Sequence, residues 1–219
     1  MKLLLTANGL SNQSIAKALF ELVGKPAAET TIVFIPTAVN MAGGDKGWFI
    51  DDLYNIRKQG CKYIDIVDVS AIPQSVWQPR IEKGDVLFFS GGNTSHLMRC
   101  LKESGLFALL PELLKTRVYA GISAGTMVAS PTIALSNEGK KISYEKLFGY
   151  RSEEALNFVD FYVRPHFNSP DYPYIQKEYL EKIAQKVGKP VYALDNESAL
   201  KVIGGNIEVI TEGEYLKLS

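Results

Sequence analysis

Residues that commonly carry out protein chemistry are scarce in this chain. There are two histidines and two cysteines among its 219 residues. Cys61 and Cys100 share no metal-ligand or redox spacing, which excludes a disulfide framework, a zinc ribbon and a C-x-x-C centre. Cys100 lies in L-M-R-C-L, an amphipathic helical stretch, and reads as a buried thiol. Charge of one sign is also missing: 24 basic side chains balance 24 acidic ones. No polybasic patch is present to hold nucleic acid or a membrane surface. No apolar run approaches the ~20 residues of a membrane span, and M-K-L-L-L-T-A-N-G is too short for a secretory leader. The expected location is the cytoplasm. Neither a G-K-[ST] loop nor a strand-borne G-x-G-x-x-G occurs, which argues against nucleotide binding. Repeats, low-complexity tracts and linkers are absent, and the length suits a single domain over residues 1–219.

What is present alternates. Lys2–Thr6, Thr31–Pro36, Tyr63–Val69, Asp85–Phe89 and the run from Val118 are short and apolar, as strands covered on both faces are. Helical spacing separates them over Ser11–Val23, Trp48–Lys58, within Ile72–Lys83, from Ser90-Gly-Gly-Asn-Thr94 through Leu101, and over Phe107–Leu114. A Gly-rich loop spans 42–46. This order predicts an α/β fold with a doubly wound, mostly parallel sheet. Beyond residue 130 the pattern changes. A polar, irregular stretch (131–141) precedes a strand over Phe158–Val163, a helix over Tyr174–Val187, and four short strands (191–194, 199–203, 207–210, 215–218). These four read as an antiparallel C-terminal edge.

Val118–Thr126, V-Y-A-G-I-S-A-G-T, has the form of a nucleophile elbow: a buried strand turns sharply into a helix with Ser123 at the turn. Gly121 and Gly125 stand where backbone meets backbone. By itself G-x-S-x-G is a weak signal, matched as well by a glycine-flanked turn. A serine needs a base, and the choice is His96 or His166. His96 sits inside a helix and reads as a packed or solvated residue. His166 follows a strand and a proline in a loop, where a side chain can be aimed, and is the expected base. For the acid behind the imidazole, Glu138, Asp160, Asp171, Asp195 and Glu197 all remain open. Gly91-Gly92 at the end of another strand can present a bare amide to an oxyanion, alongside the amide of Ala124. In a parallel sheet both strand ends open on one crevice.

Together, S-G-G-N-T at 90–94, G-I-S-A-G-T-M-V-A-S-P-T-I at 121–133 and P-H-F at 165–167 resemble the peptidase E (aspartyl dipeptidase) family of serine peptidases, which is related to cyanophycinases. The resemblance implies a class I glutamine amidotransferase-like (flavodoxin-like) fold and hydrolysis of small peptides without metal or cofactor. It places the nucleophile on Ser123, the base on His166, the oxyanion amides on Gly92 and Ala124, and the acid on Glu138, where the family carries aspartate. Asn93 and Arg164 stand as substrate contacts. The family's arginine for an aspartyl carboxylate has no counterpart in Q-K-E-Y-L-E-K-I, and only Lys177 or Arg164 could stand in for it, so Asp-X specificity does not follow. The alternative on this fold is a non-catalytic protein that binds a small peptide or amino acid. Oligomeric state is not legible.

Overall fold

The computed structural model describes residues 1–41 and 43–219. Ala42, in the loop expected over 42–46, lies outside the described residues.

Apolar side chains alternate in the strands because both faces are covered. In β1 (Lys2–Thr6), Leu3 and Leu5 enter one core and Leu4 the other. β4 (Val86–Phe89) divides its residues the same way, Leu87 and Phe89 against Val86 and Phe88. With β2 (Thr31–Ile35), β3 (Tyr63–Ile66) and β5 (Val118–Ile122), they form a parallel block in the order β3-β2-β4-β5-β1. Helices α1 (Gln13–Val23) and α2 (Gly47–Arg57) cover one face. Helices α3 (Gln74–Ile81), α4 (Thr94–Glu103) and α5 (Leu106–Leu113) cover the other. Local chemistry sets the ends of these helices. Asn12 caps α1 by accepting from the Ile15 amide at 2.9 Å, and Gly24 closes it at φ 82°.

After β5 comes α6 (Ala124–Met127), a single turn of four residues and shorter than the helix expected after the elbow. Within the stretch expected to be irregular (131–141) begins α7 (Glu138–Phe148), which runs on past it and is capped by Asn137, whose side chain accepts from the Lys140 amide. Only Lys141 and Tyr144 are buried along it, so no apolar stripe marked it as a helix. The strand expected over 158–163 begins later, as β6 (Tyr162–Pro165). The amides of Leu156, Phe158 and Val159 instead donate to Val128 and Ala129, which ties that segment to the end of the elbow. α8 (Lys177–Val187) likewise starts three residues after the expected point, because a turn from Tyr172 to Ile175 precedes it.

The four last strands split. β8 (Ser198–Ile203) and β9 (Asn206–Thr211) extend the main sheet antiparallel beside β1. β7 (Val191–Leu194) and β10 (Tyr215–Leu218) instead join β6 in a separate three-stranded sheet, in which β6 and β7 are parallel. The expected edge is therefore half of what forms, and the other half is a platform for residue 166. No helix among the described residues is long and apolar enough to cross a membrane.

Candidate active site

Three neighbouring strand ends build one wall. β5 lies between β4 and β1, so residues following all three converge on a single cleft. A Cβ added at Gly121 would come within 2.6 Å of the Gly125 carbonyl, and one at Gly125 would collide with the Phe89 carbonyl. Only glycine fits at either place. The turn is then laced to β1: the Ser123 amide donates to the Thr6 carbonyl at 3.1 Å, and Thr126 Oγ1 donates to the carbonyls of Thr6 and Gly121. Under this constraint Ser123 adopts φ 46°, a left-handed conformation that costs about 1–3 kcal/mol where nothing enforces it.

The opposing side comes from the small sheet. β6 and β7 run in register, Pro165 beside Leu194, so the residues after each strand emerge together. His166 follows β6 at φ 66°, and the Phe167 amide holds the loop by donating to the Leu194 carbonyl. The imidazole Nε2 lies 2.9 Å from Ser123 Oγ. Its Nδ1 lies 2.9 Å from Asn196 Oδ1, in the turn after β7. An amide oxygen only accepts, so Nδ1 carries the proton and Nε2 presents its lone pair to the serine hydroxyl. Tyr172 stacks on the ring, centroids 4.5 Å apart and 15° from parallel. Burial, assisted by the nearby charges of Arg164 and Lys140, pushes the imidazole down to about 4 against the pull of Asn196 and Asp171. The ring is therefore neutral at ordinary pH.

Glu138 is not part of this arrangement. It opens α7 on the surface, where its carboxylate pairs with Arg151 at 2.6 Å and Lys141 at 3.1 Å, and those partners hold it below the usual range. Of the other acids, Asp171 lines the cleft and acts on the imidazole through its charge, and the remaining three are engaged elsewhere. Asp160 pairs with Lys189, Asp195 accepts from the Glu197 amide and the Ser198 hydroxyl, and Glu197 accepts from Asn12. The residue behind the imidazole is Asn196, between Asp195 and Glu197, two of the five acids left open by the sequence. A search restricted to carboxylates could not have found it; the register of β6 on β7 could.

The two amides expected to meet an oxyanion, those of Gly92 and Ala124, are open. Among the described residues neither the Gly92 nor the Ala124 backbone N–H donates to a protein acceptor. Gly92 sits at φ 135°, where a side chain would strike the Ala38 carbonyl, and the adjoining Asn93 amide donates to that carbonyl at 2.9 Å. Asn93 lines the cleft, but its side-chain oxygen caps α4 by accepting from the His96 amide. Arg164 is 3% exposed, donates to Tyr174 at 3.4 Å and approaches Met127 Sδ, leaving its Nε without an acceptor. It acts on the imidazole through its charge rather than as part of the cleft wall. His96 contacts Tyr144 and Cys100, as a packed residue does.

The cleft itself encloses about 1170 Å³. Trp48, Tyr144 and Tyr172 supply apolar walls, and Asp45, Asp52, Asp171 and Lys140 supply charge of both signs. Among the described residues no three His, Cys, Asp or Glu side chains converge to hold a metal ion.

The model for peptidase family S51 matches residues 3–210. An uncharacterised peptidase of Pasteurella multocida (strain Pm70) is 30% identical over 185 residues, covering 80% of this chain and 86% of that protein. The peptidase E of Streptomyces coelicolor is 27% identical, covering 81% and 74%. A crystal structure assigned provisionally to peptidase E, from Listeria monocytogenes EGD-e, superposes with a TM-score of 0.79 at 24% identity over 97% of this chain and 98% of that one. A peptidase structure from an acI-B1 actinobacterium follows at a TM-score of 0.70 and 19% identity, over 100% and 93%. These two establish the fold, a flavodoxin-like α/β architecture. The chain belongs to peptidase family S51 and is a serine-type peptidase.

Proposed function

We propose that the protein hydrolyses short peptides through an acyl-enzyme on Ser123. The observation that carries this reading is one contact, Ser123 Oγ to His166 Nε2 at 2.9 Å, beside two unpaired amides. Oγ attacks the scissile carbonyl carbon while Nε2 takes its proton. The developing oxyanion accepts from the Gly92 and Ala124 amides, which are fixed before the reaction and need no rearrangement. The C–N bond breaks as the imidazolium returns that proton to the leaving amine. A water then gives its proton to Nε2 and attacks the ester carbon. Oγ leaves, reclaims the proton, and the acid product departs. Asn196 holds the ring in the required tautomer throughout, as the neutral third member does in Cys-His-Asn peptidases.

A neutral partner has a cost. It orients the imidazole without compensating the positive charge that forms on it, and the burial that lowers His166 to about 4 makes the base weak. That same observation motivates a second reading, a peptide-binding protein that has kept the constellation without turnover. A dipeptide library separates the two. The hydrolase reading expects release of free amino acids by the wild-type chain and a loss of at least about three decades in kcat for Ser123→Ala. Equal release by Ser123→Ala would remove Ser123 as the nucleophile, and none by either protein together with saturable peptide binding would replace hydrolysis with binding. Specificity for an N-terminal aspartyl residue is not part of the proposal, because the buried Arg164 pairs with Tyr174 rather than facing the cleft.

A further inference from the structure

A buried carboxyl in the cleft wall has no part in the chemistry above. Asp52 lies on α2 with 4% of its surface exposed, yet it lines the cleft that contains Ser123. Its Oδ2 is fully buried and has no hydrogen-bond partner among the described residues. The nearby charge acting on it is Asp51, of its own sign. A carboxyl withdrawn from water without a donor or a cation is strongly disfavoured, and proteins seldom keep one by accident. Burial and Asp51 push it up to about 7.

Its position ties it to the elbow. A side chain at Gly9 would come within 3.1 Å of Asp52 Oδ1 and 3.2 Å of Ile122 Cδ1, so Gly9 is bare where the carboxyl and the elbow strand approach each other. Trp48 stands one helical turn before Asp52 on α2, and a side chain at Gly91 would lie 3.5 Å from both the Trp48 ring and Ser123 Cβ. One face of α2 thus runs alongside the serine, with an indole nearer to it and an unsatisfied carboxyl behind. The half-buried Asn8, at the end of β1, borders the same cleft.

We propose that Asp52 is a specificity-determining residue that receives the α-ammonium of the peptide substrate, so that the cleft selects peptides with a free N-terminus. The inference rests on the peptidase reading for its substrate class. An arriving ammonium supplies the donor and the countercharge that the carboxyl lacks. Trp48 then lies against the first side chain or beside the cation itself. Each further residue lengthens a peptide by about 3.5 Å, so peptide length sets which bond lies over Ser123 once the N-terminus is anchored.

The test uses the full chain, a fluorophosphonate that labels activated serines, and equimolar pools of di- and tripeptides, either free or Nα-acetylated, at about 10 mM, above the usual range of KM. The free pool is expected to slow labelling of Ser123 at least about tenfold more than the acetylated pool, the scale of one charge-assisted hydrogen bond. In Asp52→Asn that difference should vanish, with each pool read against labelling of the same variant without peptide. Asp52→Asn also relieves the buried charge, so it should melt no lower than the wild type at pH 8, which excludes unfolding as the cause. Equal protection by the two pools, a difference that survives Asp52→Asn, or protection by Nα-acetyl-Lys-Leu matching that of the free pool would overturn the proposal; the last would assign the carboxyl to a lysine side chain. Thermal shift with the same pools reads the subsite without a reactive serine. Free-pool stabilisation without labelling would refute the peptidase reading and leave the ammonium site standing; labelling without discrimination would do the reverse.

Discussion

The two sides of the cleft are held by different means. The side carrying Ser123 is fixed by backbone: Gly121, Gly125 and Gly92 sit where any Cβ would strike a neighbouring main chain, and β1 laces the turn through Thr6 and Thr126. The side carrying His166 is fixed by side chains. Asn196 orients the ring, Tyr172 stacks on it, and the small sheet sets the register that brings residues 166 and 196 together. A backbone-determined wall tolerates almost no substitution at its contact points. A side-chain-determined wall can exchange one polar partner for another and still work.

Substitutions can sharpen or break that contrast, beginning with the largest effect. His166→Ala should lower kcat by about three decades with little change in KM, because the base is lost and the wall remains. Gly92→Ala should cost about two decades in kcat, since the Ala38 carbonyl must move and carry an oxyanion amide with it. Asn196→Ala should cost about two decades also, by freeing the tautomer, whereas Asn196→Asp should retain activity. If Gly92→Ala is as active as the wild type, the backbone wall is softer than its packing indicates. Glu138→Gln should stay within about threefold of the wild type, since its partners are Arg151 and Lys141. A loss of decades there would restore the acid to Glu138.

The pH dependence of kcat probes the side-chain wall alone. With the imidazole pushed down to about 4, kcat at saturating peptide should hold from neutrality to near pH 5 and fall on an acid limb near 4, whereas kcat/KM also carries the ionisation of Asp52, pushed up to about 7. Asn196→Asp places a carboxylate beside the ring and should move that limb upward, toward the ordinary value of ~6.5. Stability follows with a definite sign. The unfolded chain binds the His166 proton from about pH 6.5 and the folded chain only near 4, so the folded state loses stability as pH falls through that window. Melting temperature measured from pH 7 to 4 should drop less steeply for His166→Gln than for the wild type.

How far the sequence could be read follows the same division. The parallel block, the elbow and the Gly92 loop were legible because glycine at 92, 121 and 125 and continuous apolar strands leave few other folds. His166 was legible by elimination, with only one other histidine in the chain. The third member was not. Periodicity cannot say that β7 leaves the main sheet to pair with β6, and without that pairing Asn196 has no reason to be near residue 166. The family resemblance placed the acid on Glu138, at the mouth of a helix that has almost no apolar face to announce it. Asp52 was hidden for a related reason: within α2 the pair Asp51-Asp52 reads as a solvated face, and only the structure shows Asp52 buried.

The contact between residues 123 and 166 is what everything else depends on, and labelling kinetics address it directly. Wild type and His166→Ala are treated with the same fluorophosphonate, and the adduct is mapped by peptide mass spectrometry. The expected result is a single adduct on Ser123 in the wild type, forming at least about a hundredfold more slowly in His166→Ala. An adduct on another residue, or equal labelling rates in the two proteins, would contradict an imidazole-activated Ser123.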